Sequence, residues 1–170
     1  PASDFPEMSL SGNFSKQLTI KQKAFKELLN KTNYAMAIQD IRYYLNGMLI
    51  ILENNDISVV ATDGHRLAFA GEKVEESLGE KTEVILPRKT VMELQRLLQD
   101  TDDEITIEIG ANQIRFTFSE IELTSKLVEG KFPDYKKVIP VDYTNQVNIN
   151  RVDYQQALQS FENIANKGNE

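Results

Sequence analysis

Residues 104–126, which read EITIEIGANQIRFTFSEIELTSK, decide most about the fold. Polar residues alternate with apolar ones along this stretch, namely Thr106, Glu108, Arg115, Thr117, Glu122 and Thr124. Such alternation gives a strand one buried face and one solvent-facing side, which is typical of antiparallel sheets. Gly110-Ala-Asn112 supplies a turn. The stretch therefore predicts three antiparallel strands, at 105–109, 113–118 and 121–126.

Further strand patterns precede this stretch. Four β-rich runs lie at 42–52, 57–61, 67–70 and 83–86. Asn54-Asn55-Asp56 and Asp63-Gly64 supply turns between them. Short runs joined by such turns predict antiparallel meanders.

Two other segments show helical spacing. Their recurring residues are Phe25, Leu28, Leu29 and Thr32 in the first segment, and Val91, Leu94, Leu97 and Leu98 in the second. Pro87 suits the first turn of the second helix, and an acidic turn at 100–104 follows that helix. The order of elements is strand, helix, several strands, helix, several strands. This order predicts an α+β fold in which two helices pack on one face of an antiparallel sheet.

The composition sets outer limits on function. With 170 residues, 41% of them hydrophobic and 26% charged, the chain is long enough to bury one full core. Cysteine is absent, which excludes disulfides, thiolate nucleophiles and cysteine zinc sites and fits a reducing cytosol. No apolar run approaches the roughly 20 residues that span a bilayer, and residues 1–6 do not resemble a signal peptide. We therefore expect a soluble protein with no membrane partner.

The net charge of −7 is unevenly distributed. Residues 16–37 carry a balance of +4 and residues 84–98 a balance of +2, so the rest of the chain sums to −13. Both basic segments coincide with the predicted helices, which predicts two helices with basic outer faces. Such faces attract nucleic acid. The alternative is a pair of ordinary solvated amphipathic helices.

Two short stretches near the start of the chain resemble two stretches near its end. Phe5-Pro6-Glu7 resembles Phe132-Pro133-Asp134, 127 residues later, and Gln17–Ile20 resembles Gln146–Ile149, 129 residues later. A nearly constant offset of this length predicts a domain-sized repeat, whereas solenoid units repeat every ~20–50 residues. We therefore expect one module flanked by parts of its neighbours. Chance similarity in a common strand–turn–helix pattern is the alternative.

Few residues suggest catalysis. His65 is the single histidine and no glycine-rich phosphate loop is present, so we expect no metal site, no cofactor and no catalytic residues. The sequence Asp63-Gly64-His65-Arg66 leaves open a hydrolase that depends on His65. However, no recognised motif places a nucleophile beside it.

Three sequence blocks are distinctive as motifs, although their residues indicate no particular reaction. They are Arg42–Met48 (RYYLNGM), Ala61–Ala68 (ATDGHRLA) and Ser125–Tyr135 (SKLVEGKFPDY). Together with Val84–Lys89 they closely resemble the bacterial β sliding clamp family, the β subunits of DNA polymerase III, in order and spacing. The resemblance implies the DNA clamp fold and a non-catalytic processivity factor of DNA replication. Subunits of this family have three similar domains, close head-to-tail into a homodimeric ring around duplex DNA, and tether the replicative polymerase.

The same resemblance implies how the chain is divided. Residues 1–14 are expected to link to a preceding first domain, 15–138 to form the middle domain, and 139–170 to begin the third domain. Without the other domains the subunit contacts that close a ring are missing, so ring closure is expected of the parent protein only. A bacterial cytoplasmic location is also implied.

The resemblance gives the basic helices a role, because the family lines its channel with helices whose cations attract phosphates without reading bases. The channel candidates on the helices are Lys23, Lys26, Lys31, Arg88, Lys89 and Arg96. By similarity, Gln39, Tyr43 and Tyr44 lie near the rim of that channel. Duplex DNA of any sequence is the expected partner.

A pocket for short peptide motifs of polymerase subunits, the clamp loader and repair proteins is also implied, between the middle and third domains. The expected middle-domain wall consists of Arg42, Tyr44, Leu45, Thr62, Gly64, His65, Arg66, Leu67, Pro133, Lys137 and Val138. Its apolar members offer contact area, and its cationic members offer hydrogen-bond donors. Lys137 lacks the planar fork of an arginine. Ordinary core packing is the alternative for these residues, and an interaction module with a non-polymerase partner is the alternative function.

Overall fold

The computed structural model describes residues 13–139 and 147–167. These residues form two compact units that divide after Val138. The elements of the first unit are, in chain order, β1 (Phe14–Lys21), α1 (Gln22–Thr32), β2 (Gly47–Glu53), β3 (Asp56–Thr62), β4 (Leu67–Lys73), β5 (Thr82–Pro87), α2 (Arg88–Leu97), β6 (Glu104–Gly110), β7 (Gln113–Phe118) and β8 (Ile121–Lys126). Short 3-10 helices lie at Asn33–Ala35, Tyr43–Leu45 and Tyr135–Lys137.

The strands form two antiparallel four-stranded sheets, with the orders β1-β6-β7-β8 and β4-β3-β2-β5. The unit has two halves, β1 to β4 and β5 to β8, and each consists of a strand, a helix and three further strands. The first strand of each half joins the sheet of the other half, since β1 pairs with β6 and β5 pairs with β2. The two halves are therefore interlocked, and neither sheet is complete without both.

Both helices contribute to one hydrophobic core. α1 packs against β3 and β4, α2 packs against β2 and β5, and the two helices contact each other. Phe25 of α1 also stacks on Phe116 of β7, with 5.9 Å between the ring centroids, and both rings are fully buried. This stack joins the helical layer to the first sheet. The predicted α+β fold, with two helices packed on antiparallel sheet, is confirmed, and its strands divide between two sheets.

The strands predicted within residues 104–126 are also confirmed. Ile105, Ile107 and Ile109 are buried in β6, whereas Glu108 between them is partly exposed. Arg115 stands opposite Glu108 on β7 and donates from Nε and Nη2 to its carboxylate, at 2.7 and 3.0 Å. The alternation therefore gives a buried face and an outer face joined by a cross-strand ion pair.

One predicted strand starts too early. The run 42–52 is β-rich, but β2 begins only at Gly47. Asn46 folds the preceding residues into a loop, because its side chain accepts from the N–H of Asp40 and donates to the Asp40 carbonyl, each at 2.9 Å. Gly47 then lets β2 approach β5 closely, since a Cβ there would lie 2.5 Å from the carbonyl oxygen of Leu86.

The acidic turn that follows α2 caps the start of α1. The backbone carbonyls of Asp103 and Thr101 accept hydrogen bonds from the N–H groups of Gln22 and Lys23, at 2.8 and 3.1 Å. The first N–H groups of a helix have no partner within the helix. These two carbonyls therefore take the place of a side-chain cap, and they tie the two halves of the unit together.

The second unit contains α3, Arg151–Lys167. Tyr154, Leu158 and Phe161 follow one another at helical spacing and are 53%, 53% and 76% exposed. Within residues 147–167 the structure describes no strand that covers this apolar face.

Some sequence predictions lie outside the described residues. Phe5-Pro6-Glu7, Gln146 and most of the predicted linker 1–14 are among them. In the ranges 13–139 and 147–167, no helix is long and apolar enough to cross a membrane.

Candidate binding sites

A cavity of about 280 Å³ opens beside the second sheet. Three chain segments form its wall, namely the loop before β2, the turn between β3 and β4, and the segment after β8. The lining residues are Arg42, Leu45, Thr62, Gly64, His65, Arg66, Leu67, Pro133, Asp134, Tyr135 and Val138. All of them belong to the first unit. We call this cavity the β3–β4 pocket.

Side chains within the turn between β3 and β4 hold that turn in shape. Asp63 Oδ1 accepts from the backbone N–H groups of His65 and Arg66, at 2.9 and 3.0 Å, and these bonds lower the pKa of Asp63. Thr62 Oγ1 donates to the carbonyl oxygen of Arg66 at 2.7 Å and accepts from the N–H of Gly64 at 3.1 Å. Gly64 has a φ of +90°, which residues with a Cβ rarely adopt. The turn is therefore held in shape by hydrogen bonds within the chain itself.

Two arginines at the rim of the pocket are oriented by carboxylates. Arg42 donates from Nε and Nη2 to the two oxygens of Asp40, at 3.0 and 2.8 Å. These hydrogen bonds hold the pKa of Asp40 at about 2. Arg66 donates from Nε to Asp63 at 3.1 Å, and its guanidinium lies 5.5 Å from the centroid of the Tyr34 ring. Part of the positive charge at the rim is therefore balanced within the chain.

The floor of the pocket is apolar. Leu45 is buried, and Tyr135 is only 8% exposed, with its ring stacked on Phe69 at 6.1 Å between the centroids. Burial also raises the pKa of the Tyr135 hydroxyl. An apolar floor with a few polar groups at the rim is suited to apolar side chains of a peptide or to a small molecule.

Most residues predicted for the peptide wall line the β3–β4 pocket, and Tyr44 and Lys137 do not. Tyr44 packs edge-on against the preceding tyrosine, with 5.8 Å between centroids, and Lys137 Nζ lies 3.6 Å from the carboxylate of Asp134. Asp134 and Tyr135 line the pocket although they were not predicted to do so. Their position inside the FPDY sequence of residues 132–135 is the signal that could have indicated them. A role in peptide binding stays a prediction for all these residues.

The cations predicted to contact DNA lie on the paired helices α1 and α2. Gln95 donates from Nε2 to Asn30 Oδ1 at 2.8 Å and accepts at Oε1 from Asn33 Nδ2 at 3.3 Å, which links the two helices. Lys26 is mostly covered and lies 3.6 Å from the carboxylate of Asp100. The exposed cations are Lys23, Lys31, Lys89 and Arg96, and Arg88 is half-buried.

Two of the exposed cations also have carboxylate partners. Lys31 Nζ lies 2.7 Å from Glu27 Oε1 on α1, and Arg96 pairs with Glu93 on α2. Hydrogen bonds from these cations lower the pKa of both glutamates. The helical face therefore keeps a surplus of positive charge, but a smaller one than its lysines and arginines alone predict.

The two remaining predicted DNA contacts lie in the loop before β2. Gln39 has a φ of +55°, in the left-handed region that is uncommon for residues other than glycine. Tyr43 is 57% exposed, and the nearby Ile41 is 95% exposed. Arg42 of the β3–β4 pocket stands in the same loop, so the two predicted sites adjoin here.

The geometry does not support a hydrolase that depends on His65. The Asp63 carboxylate accepts hydrogen bonds from the backbone of His65 and from the backbone and side chain of Arg66. It therefore does not orient an imidazole in the way a catalytic triad requires. Within the described part of the chain, no group of three metal-binding side chains converges.

Known proteins resemble this chain in both sequence and structure. Residues 19–134 match the family model described as DNA polymerase III beta subunit, central domain. The beta sliding clamp of Pseudomonas aeruginosa is 46% identical over 140 residues, which cover 82% of this chain and 38% of that protein. The beta sliding clamp of Escherichia coli strain K12 is 44% identical over the same shares. A crystal structure of the Pseudomonas aeruginosa DNA polymerase III subunit beta aligns with a TM-score of 0.78 at 45% identity, covering 84% of this chain and 39% of that one.

Two four-stranded antiparallel sheets with a pair of helices packed on them define an α+β protein with the clamp fold. The family match extends over more than half of the chain and shows the family in addition to the fold. This chain belongs to the DNA polymerase III beta subunit family. It spans 38% of the length of the two beta sliding clamps compared with it.

Proposed function

We propose that this chain is the central part of a bacterial sliding clamp, a non-catalytic processivity factor of DNA replication. The complete protein closes as a homodimeric ring around duplex DNA in the bacterial cytoplasm and tethers its partners there. The match of residues 19–134 to the DNA polymerase III beta subunit family carries this proposal. The matched segment contains both basic helices and most residues of the β3–β4 pocket.

The proposal divides the chain into a linker at 1–14, a middle domain at 15–138 and the start of a third domain at 139–170. A comparison of α1 with α3 supports the last part. Phe25 and Leu29 are buried in α1, whereas Tyr154 and Leu158, each 129 residues later, are both 53% exposed in α3. The same apolar face is thus covered in α1 and open in α3. We infer that α3 belongs to a further domain whose sheets cover this face.

Duplex DNA is the proposed ligand of the helical face. α1 and α2 together carry six cations and two carboxylates, in a chain whose net charge is −7. Contacts between cations and phosphates release counterions and do not read the bases. Binding of this kind depends on salt and not on sequence, and a protein that slides along DNA needs that property.

Short peptide motifs of polymerase subunits, the clamp loader and repair proteins are the proposed ligands of the β3–β4 pocket. Leu67 and Tyr135 offer apolar contact, which contributes ~25 cal/mol per Å² of buried area. Arg42 and Arg66 stand at the rim with orientations fixed by Asp40 and Asp63, so their remaining N–H groups lose little freedom when they bind a peptide.

A peptide titration tests this part of the proposal. A labelled peptide of the form Gln-Leu-x-Leu-Phe is titrated into this chain and into a longer chain that contains the third domain. We expect saturable binding that Leu67→Ala weakens about tenfold, because the substitution removes apolar contact area. Met92→Ala is the matched control, since Met92 is exposed on α2 and lies outside the pocket.

Each outcome of the titration has a distinct meaning. Binding only to the longer chain makes the pocket a joint product of two domains. Binding to neither chain contradicts the proposed peptide site. A complete protein that binds the peptide but is never retained on DNA favours the alternative, an interaction module with a partner other than the polymerase.

A further inference from the structure

A second cavity, of about 250 Å³, adjoins the β3–β4 pocket. We call it the lysine groove, and its lining residues are Leu49, Lys81, Glu83, Lys131, Phe132, Pro133, Asp134, Tyr135 and Lys136. Pro133, Asp134 and Tyr135 also line the β3–β4 pocket. This segment is therefore a common wall between the two cavities.

The lysine groove has a surplus of positive charge. Its two carboxylates already have lysine partners, because Glu83 pairs with Lys81 and Asp134 lies 3.6 Å from Lys137. Lys131 and Lys136 are exposed, and neither makes an ion pair with the described part of the chain.

The sequence around the groove shows the same surplus. Residues 126–137 contain four lysines and two acidic residues, a balance of +2 in a chain of net charge −7. This basic segment lies outside the helices α1 and α2 that are proposed to bind DNA.

The floor of the groove is apolar, like that of the neighbouring pocket. Leu49, Phe132 and Tyr135 are 2%, 7% and 8% exposed. The ammonium group of Lys81 lies 6.0 Å from the centroid of the Tyr135 ring. A floor of this kind suits an extended backbone, and lysines at the rim suit carboxylate side chains that project from it.

We propose that the lysine groove binds an acidic segment that adjoins the apolar motif of a partner peptide. This inference rests on the proposed function of the β3–β4 pocket. Because the cavities share a wall, an extended chain reaches from one to the other within a few residues. Peptides with acidic residues beside the motif then bind more tightly than peptides with neutral residues there.

The expected gain is modest and depends on salt. Exposed ion pairs of this kind change affinity about 1.5-fold to fivefold each. The gain decreases as salt is added, because ions screen exposed charges beyond about 10 Å at 0.1 M. The groove therefore affects which partner peptides bind best more than it affects the affinity of the apolar motif that they share.

Three peptides with an identical apolar motif test the inference in the complete protein that contains this chain. One has neutral flanks, one has aspartates before the motif, and one has aspartates after it. We expect one acidic peptide to bind about threefold to tenfold more tightly than the neutral peptide at low salt. Combined Lys131→Gln and Lys136→Gln should abolish that gain and leave the neutral peptide unaffected. Lys73→Gln is the matched control, since Lys73 is an exposed lysine of β4 that pairs with Asp56 away from the groove.

The outcomes separate this inference from the function on which it rests. If all three peptides bind equally, the groove has no role and the β3–β4 pocket still stands as a peptide site. The inference is likewise overturned if the gain survives in the combined lysine variant or is lost in Lys73→Gln. If no peptide binds, the proposed peptide site fails and the groove fails with it.

Discussion

At the scale of single residues, the position of Arg42 depends on two neighbours. Gly64 has a φ of +90°, and a Cβ at this position would lie 3.2 Å from Arg42 Nη1. Asp40 holds the same guanidinium through both of its carboxylate oxygens. The turn between β3 and β4 and the loop before β2 therefore meet at one arginine, which stands at the rim of the β3–β4 pocket.

A comparison of Gly64→Ala with Gly79→Ala separates the effect of backbone strain on stability from the effect of the Arg42 position on peptide binding. We expect Gly64→Ala to destabilise the fold by roughly 1–2 kcal/mol, because alanine is strained at positive φ. It should also weaken peptide binding severalfold, since the new methyl group displaces Arg42. Gly79→Ala is the matched control, because Gly79 has a φ of +68° but a Cβ there would meet no described atom within 4 Å. Denaturant unfolding and peptide titration measure the two effects, and equal peptide affinities for both variants would contradict the role of Gly64.

The ion pair of Asp40 with Arg42 gives stability a pH dependence. The pKa of Asp40 is about 2 in the folded protein, below the ~3.9 of an unfolded chain. The contribution of the pair to stability is therefore present above about pH 4 and is lost as the pH falls towards about 2. Asp40→Asn keeps an acceptor oxygen and removes the charge. The difference in melting temperature between the native protein and this variant should shrink across that range, and a constant difference would contradict the prediction.

At the scale of elements, α1 and α2 combine cations with carboxylates on their outer faces. Glu27 and Glu93 each pair with a cation that is proposed to bind phosphate. Each carboxylate occupies some of the N–H donors of Lys31 or Arg96 and repels an approaching phosphate. The pairing is therefore expected to limit the affinity of the helical face for DNA.

Substitutions of cations and of carboxylates on the helical face should change the affinity for linear duplex DNA in opposite directions. Combined reversal of Lys26, Lys31 and Arg96 to glutamate should weaken the direct binding of the complete protein to linear duplex DNA and reduce the salt dependence of that binding. The slope of log affinity against log salt should fall by about 0.9 for each phosphate that the protein no longer neutralises.

Combined Glu27→Gln and Glu93→Gln should strengthen the binding to linear duplex DNA, about 1.5-fold to fivefold for each carboxylate. Peptide binding should be unchanged in both combined variants. Lys73→Glu, on β4, is the control for a change in net charge. Equal losses of DNA and peptide binding would show that the two sites are not separate.

Elements whose pattern is local could be predicted from the sequence. β7 and β8 have the predicted bounds because alternation and a nearby turn set them. The loop before β2 was missed, because bonds between Asn46 and Asp40 outweigh the β-propensity of two adjacent tyrosines. The exchange of β1 and β5 between sheets pairs strands that are far apart in sequence. No local pattern specifies that pairing.

The candidate sites likewise include residues that the sequence predicts and residues that it does not. The β3–β4 pocket could be predicted from sequence blocks, and the geometry brings most of those residues together. The pairing of Lys26 with Asp100 joins residues that are distant in sequence, so composition alone overstated the charge of the helical face. Asp134 and Tyr135 were missed because their role in the wall depends on how the segment after β8 folds back.

At the scale of the whole molecule, α3 tests whether a further domain exists. In this chain, Leu29→Ala should cost about 2–5 kcal/mol, because Leu29 is fully buried. Leu158→Ala should change stability by less than about 0.5 kcal/mol, because Leu158 is half exposed. In the complete protein the cost of Leu158→Ala should rise to about 2 kcal/mol or more. Denaturant unfolding measures both, and a cost that stays small in the complete protein would contradict a third domain that covers α3.

In the proposed function, this chain is part of a ring that encloses DNA. The most direct test is retention of the complete, loaded protein on circular duplex DNA, before and after the circle is cut at one site. A ring is held by topology, so the protein should stay on the intact circle at high salt and leave rapidly through the ends once the DNA is linear. Equal retention on circular and linear DNA would contradict the claim, because only direct contacts would then hold the protein.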